Sequence, residues 1–239
     1  MPVEKMKRIK APDSLCDIAA TAIREAIITG RYGLGEAISE NSLSELLGIS
    51  KTPIREALAN LKHEGLVSII PRKGTFVFTL SVDDVAQLGF YRFALESTAL
   101  ELAMEGHRKD LLTALKSICA AMTAAREQGK TREYLELDGE FHDAIVSHCD
   151  NVYLKEGYQA IAGRTAALRT HLSQHPTHTD KSMNEHIEMI ALLEQGDLAG
   201  ATTILKKHVT RGERTYADGI EDIATASPED RIIRRKRTR

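Results

Sequence analysis

The sequence predicts a mainly α protein in two parts. A small head of helices closed by a β-hairpin takes residues 1–80, and an all-α helical bundle takes 81–226. Three observations carry that division. Apolar residues recur at helical spacing along most of the 239 residues. Two runs rich in β-branched and aromatic residues, LVSII and TFVFT, stand together just before residue 80. Beyond Leu80 the chain turns rich in Ala, Leu and Glu, with no convincing strand.

The first helix is expected over 14–29, SLCDIAATAIREAIIT, where Leu15, Ile18, Ala19, Ala22, Ile23, Ala26 and Ile27 share a face. Ser14 offers an N-cap and Gly30 a stop. GRYGLGEAIS reads as a glycine-rich connection. A short helix over about 42–47 ends at Gly48. The next takes Ser50 as N-cap and accepts Pro53 in its first turn, where a missing N–H costs little. It turns Ile54, Leu58 and Leu61 inward and stops at Gly65. Pro71-Arg72-Lys73-Gly74 separates the two β-runs, which makes them a hairpin. Ser81 with Asp84 resembles a capping arrangement. About six helices follow, to about residue 222, with breaks near 106–109, 128–131, 149–151, 175–180 and 195–197.

Composition bounds the function classes. The chain is 42% apolar and 28% charged, with 5% aromatic residues and no Trp, as in an ordinary soluble helical protein. It has no apolar run of about 18 residues to span a membrane. MPVEKMKRIKAPDSL lacks the apolar core of a signal peptide, so a cytoplasmic location is expected. Cys16, Cys119 and Cys149 form neither a CxxC pair nor a disulfide framework. His148 and Cys149 are neighbours on a helix, pointing about 100° apart, and make a poor base–nucleophile pair. The net charge of −2 hides an asymmetry: 11 Lys/Arg against 9 Asp/Glu in residues 1–80, and 15 against 23 in 81–226. The basic tail, 227–239, ends in RIIRRKRTR and is expected to be disordered.

Two short helices joined by LGIS and followed by a hairpin are the sequence of a winged helix-turn-helix. In that arrangement the second helix enters the DNA major groove with its N-terminal residues at the base edges. Those residues are Ser50, Lys51, Thr52 and Arg55. Arg55 could read guanine bidentately, and Ser50 and Thr52 suit phosphates or bases. Arg72 and Lys73, with Gly74 at the wing tip, suit phosphate neutralisation or the minor groove. The alternative is a small helical domain with a solvated charged face.

GEAISENSLSELLGISKTPIREALANLKHEGLVSIIPRKGTFV resembles the DNA-binding domain of the GntR family of bacterial transcription regulators. The matching marks are LSELLGIS, TPIREAL, EGLV and KGTFV; Lys51 stands where many members have Arg, which weakens any bidentate contact there. The helical body resembles the all-α FCD ligand-binding domain of the FadR-type branch, through YRFALESTALELA, LDGEFHDAIVSHCDN, SMNEHIEMI and GDLAGATTILKKHV. Together the resemblances cover about residues 14–215.

Within LDGEFHDAI, Asp138 and His142 are four apart, so a helix puts a carboxylate and an imidazole on one face, where they could share a metal. Such pairs also arise by chance. The resemblance implies the rest: many members of that branch hold a divalent metal on one Asp and three His, which carry over to Asp138, His142, His186 and His208. Three imidazoles and one carboxylate suit Zn²⁺ or Ni²⁺ better than Mg²⁺ or Ca²⁺. A rival cluster, His171, His175 and His178, sits in RTHLSQHPTHTD, read as an exposed stretch that could cover a pocket. Arg92, with Glu96 one turn on, would clamp a carboxylate ligand against the metal, or else form a structural ion pair with Glu96. Arg164 and Arg169 are further candidate anchors.

These observations imply a repressor that binds an inverted-repeat operator in double-stranded DNA as a homodimer, modulated by a small organic acid, with no membrane partner. Two alternatives stand beside it: a DNA-binding regulator whose metal is purely structural, and a metal-dependent hydrolase.

Overall fold

The structure is a computed structural model and describes residues 14–174, 178–212 and 214–217. These fall into two compact units, one holding 14–27 and 31–78, the other 28–30 and the described residues from 79 onward.

The first unit contains α1 (Leu15–Ile28), β1 (Ala37–Ile38), α2 (Glu40–Leu47), α3 (Lys51–His63), β2 (Val67–Ile70) and β3 (Gly74–Val77). Ser14 caps α1 by accepting the Asp17 N–H at 3.1 Å. Ala19, Ala20, Ile23 and Ile27 turn inward, whereas Leu15 and Ile18 are more than half exposed. The buried stripe is therefore narrower than the apolar one, and the expected inward face overreached at its first turn. Ser39 caps α2, which begins two residues earlier than expected and ends at Gly48. Ser50 holds the cap position of α3 but makes no side-chain capping bond. Ile54, Leu58 and Leu61 are buried as expected.

β2 and β3 form the hairpin, with Ile70 opposite Gly74. The supposed glycine-rich connection contains a strand as well. β1 pairs antiparallel with β3, Ala37 opposite Phe76, and the sheet order is β1-β3-β2. Two residues are too few to show a strand's alternation.

The second unit is α4 (Val82–Gly106), α5 (Arg108–Glu127), α6 (Thr131–Ser147), α7 (Val152–Leu172), α8 (His178–Gln195) and α9 (Leu198–Thr210). A full capping box between Ser81 and Asp84 starts α4, which runs about 37 Å. The expected break near 175–180 falls partly on 175–177, outside the described residues, as do the tail 227–239 and the expected helix end near 222. α5 packs along α6 and α8 along α9, while α4 lies against α6, α7 and α9. Leu111, Leu115 and Met122 of α5 meet Tyr134, Phe141 and Ile145 of α6 in one core, each side chain contributing about 1.5–3 kcal/mol through burial. Gly89 permits the close crossing of α4 and α9: a Cβ there would stand 3.1 Å from the Val209 carbonyl oxygen.

Buried polar side chains mark where this core is interrupted. Among the described residues all but Thr75 lie in the second unit: Arg92, Glu96, Asp138, His142, Thr165, Ser182, Glu185, His186 and His208.

Candidate metal centre and nucleic-acid interface

In the head, Ser50, Lys51, Thr52 and Arg55 are all exposed along the start of α3. Arg72, Lys73 and Gly74 are exposed at the hairpin turn, where Arg72 takes a left-handed φ of 64°. Arg55 donates from Nε to Glu40 Oε2 at 2.7 Å. Solvent screens that pair, so it contributes little stability, but it sets the direction of the Arg55 side chain.

In the body, α6 supplies Asp138 and His142, α8 supplies His186 and α9 supplies His208. All four are buried, and one ligand atom from each lies within 4.8 Å of the others. The hydrogen bonds around them define their chemistry. His142 Nδ1 lies 2.7 Å from Glu96 Oε2, and His208 Nδ1 lies 3.1 Å from Glu185 Oε2. A carboxylate only accepts, so both Nδ1 atoms carry the proton and both Nε2 atoms present lone pairs. Those lone pairs face each other at 3.0 Å. Two acceptors at that distance require a positive charge between them. His186 leaves both ring nitrogens without a hydrogen-bond partner, while its ring stacks on Phe141 at 4.1 Å. Asp138 accepts from Ser182 Oγ at 2.9 Å and pairs with Arg169.

Electrostatics decide what the positive charge is. Burial lowers the pKa of all three imidazoles: His186 falls to about 3, and Asp138 offsets only part of that. His142 is pushed down by burial and by Arg92, and His208 by burial and the other two histidines. Neutral rings are therefore favoured over an imidazolium. Burial opposes ionisation of Glu96, but Arg92 and His142 prevail and hold it at about 2. Burial likewise opposes ionisation of Asp138, and Arg169 above all holds it below the usual carboxylate range. Three neutral imidazoles and one carboxylate fit a divalent metal. The facing nitrogens, 3.0 Å apart, are close enough for one ion to bind both.

A cleft reaches this cluster. Asp138 and His208 line it together with Arg92, Thr165, Arg169 and Arg211, against apolar Val85, Leu88, Leu168 and Leu172. Three buried donors on its wall have no hydrogen-bond partner: Arg92 Nη2, Thr165 Oγ1 and Arg211 Nε. Arg92 is ion-paired, Nε to Glu96 Oε1 at 2.5 Å, and also lines the cleft, so the ion pair does not take it away from the cleft wall. Arg164 is half-buried on α7 and is not among the residues lining the cleft. His171 packs against Tyr216, His178 lines the cleft, and His175 lies outside the described residues. Cys149 is a buried free thiol, and His148 bonds the Ala144 carbonyl.

Sequence reasoning missed Glu185 and Arg211, and took Glu96 only as a partner of Arg92. Arg211 had a signal: three residues after His208, it continues that face at the C-cap of α9. Glu185 had none, since its neighbour His186 points elsewhere around the helix.

Comparison with known proteins supplies the context. The chain is 28% identical over 221 residues to an HTH-type transcriptional regulator of Streptomyces ambofaciens, covering 87% of this chain and 85% of that one. It is 27% identical over 194 residues to a probable D-xylose utilization operon transcriptional repressor of Paenarthrobacter nicotinovorans, covering 80% and 85%. The fold superimposes on E. coli McbR/YncC with a TM-score of 0.73 at 21% identity, covering 87% of this chain and 99% of that one. These curated relatives are transcriptional regulators, and the hydrolase alternative falls away. In the described residues no helix is long and apolar enough to cross a membrane. The FCD domain profile matches residues 87–211, and that of the gntR family of bacterial regulatory proteins matches 17–77. The chain belongs to the gntR family of bacterial regulatory proteins, and its helical body is an FCD domain.

Proposed function

We propose that this regulator is a metal-containing, ligand-responsive repressor of the FadR-type branch, acting in the cytoplasm. Residues 1–80 bind an inverted-repeat operator, residues 81–226 hold metal and effector, and the protein acts as a homodimer because two-fold symmetry matches a palindromic site. Ser50, Lys51, Thr52 and Arg55 meet the major groove, and Arg72, Lys73 and Gly74 the adjacent backbone or minor groove. Exposed apolar side chains favour a dimer: Phe90 and Tyr91 on α4, with Tyr91 Oη near Gly157, one turn from the exposed Tyr153 on α7.

The observation that carries the metal is the pair of imidazole nitrogens facing each other at 3.0 Å beside His186, whose ring nitrogens have no hydrogen-bond partner. Asp138, His142, His186 and His208 would hold Zn²⁺ or Ni²⁺, which supplies a Lewis-acidic anchor. Arg92 and its unpartnered Nη2 would take the carboxylate of a small organic acid at the same cleft, with Arg211 beside it. An effector changes operator affinity only if it binds the two conformations of the dimer unequally. The name of the Paenarthrobacter relative, a probable transcriptional repressor, supports repression over activation.

Selection from random duplexes with the purified protein gives the operator, and titration of a small-carboxylate panel tests the effector. A palindromic consensus is expected, along with an acid that weakens binding at least tenfold in the wild type and not in Arg92→Ala. Operator affinity unchanged across the panel would favour a purely structural metal.

A further inference from the structure

Each metal-facing imidazole with a glutamate behind it is also linked, through that glutamate, to an arginine on the cleft wall. Glu96 receives the Nδ1–H of His142 on Oε2 at 2.7 Å and the Nε–H of Arg92 on Oε1 at 2.5 Å. Glu185 receives the Nδ1–H of His208 at 3.1 Å and an Nη1–H of Arg211 on the same oxygen, Oε2. At the far end of each chain the arginine keeps one buried donor without a partner, Nη2 of Arg92 and Nε of Arg211, and both arginines line the cleft. Two chains of the same composition therefore run from cleft to cluster, Arg92–Glu96–His142 and Arg211–Glu185–His208. They arise from different helices, α4 to α6 in one, and the C-cap of α9 to α8 and back to α9 in the other.

We propose that Glu96 and Glu185 are positioning residues that couple metal to anion: each fixes a metal-facing imidazole and a cleft-facing arginine at once, so binding at either end favours binding at the other. This rests on the metal and carboxylate reading above. The physical reason is shared orientation. A carboxylate accepting from Nδ1 fixes the tautomer that leaves Nε2 free, and makes the ring a better donor to a cation. The same carboxylate aims the guanidinium so that its remaining N–H points at the cleft. An anion that takes that N–H holds the arginine, the arginine holds the glutamate, and the imidazole loses freedom that metal binding would otherwise have to remove. Charge acts in the same direction. Glu96, Asp138 and Glu185 are already paired with Arg92, Arg169, Arg211 and Lys207, so a divalent cation adds a surplus of positive charge that an anion neutralises. Coupling of this kind is reciprocal.

The test measures Zn²⁺ affinity by competition with a chromophoric chelator. It is run in acetate as the probe anion and again in chloride at equal ionic strength, with folding checked by circular dichroism. Wild type is expected to bind Zn²⁺ at least about fivefold more tightly in acetate. Glu96→Gln and Glu185→Gln are expected to bind about 10–100-fold more weakly in chloride and to lose most of the acetate effect. Arg211→Gln leaves both glutamates in place; it should weaken Zn²⁺ binding in chloride less than Glu185→Gln does, and lose part of the acetate effect. That separates coupling from a merely structural role, and keeps the proposal testable if a glutamate variant fails to fold. Glutamine variants with wild-type affinity, or an acetate effect undiminished in Arg211→Gln, would overturn the proposal while leaving the metal centre intact. A wild type that binds no Zn²⁺ would overturn the metal centre and the proposal with it.

Discussion

Replacing Arg92 by Met removes the main counter-charge of a carboxylate that is fully buried. Arg92 and His142 hold the Glu96 carboxyl at about 2, against 4.5 when exposed. A depression of that size is about 3 kcal/mol of folding stability at pH 7. It is present in full above pH 4.5 and is lost as the pH falls toward 2. In Arg92→Met only the Nδ1–H of His142 still opposes burial. The carboxyl then rises above its exposed value, and the ionised form becomes a cost near neutral pH. The expected loss at pH 7 is about 3–5 kcal/mol, the range for breaking a buried pair from one side. The difference from wild type should narrow at pH 5, where the stranded carboxyl takes up a proton. Urea unfolding of metal-free protein, followed by helical circular dichroism at both pH values, measures it. A loss below about 1 kcal/mol, or one equal at pH 7 and pH 5, would show that Arg92 is not what keeps the buried Glu96 carboxyl ionised.

Gly89→Ala places a methyl group 3.1 Å from the Val209 carbonyl oxygen at the α4–α9 crossing, and should cost about 1–3 kcal/mol in the same unfolding assay. Metal-free protein should lose stability as the pH falls below about 6.5, because His142, His186 and His208 are neutral when folded and protonate on unfolding, by up to about 1.4 kcal/mol per pH unit for each. A flat stability between pH 7 and pH 5 would contradict their burial as neutral rings. Arg55→Ala should relax base preference at one operator position by about 1–3 kcal/mol, whereas Lys73→Ala should weaken all duplexes alike and reduce the salt slope by about 1, both read by fluorescence anisotropy.

The helical body was legible because its apolar residues keep a helical period through α4 to α9, and the capping box at Ser81 marks its start. β1 was not, since Ala37 and Ile38 become a strand only by pairing with Phe76 and Thr75 some forty residues later. Leu15 and Ile18 follow the same period as Ile23 and Ile27 yet face solvent, because periodicity gives a stripe and not the width that a neighbour covers. Asp138 and His142 could be paired from spacing alone. His186 and His208 stand on two other helices and entered through family resemblance. The three arginine candidates show the limit most clearly. Arg164 and Arg169 are five residues apart on α7, hence about 140° around the helix, so only one could face the cleft; sequence could not say which. Arg169 does, pairing with Asp138.

Elemental analysis of the purified wild type beside His208→Ala and His175→Ala tests the metal centre most directly. About one Zn or Ni per chain is expected in the wild type and in His175→Ala, and none in a folded His208→Ala. A wild type that retains no metal after reloading and desalting, or a His208→Ala variant that retains as much as wild type, would contradict a metal centre on Asp138, His142, His186 and His208.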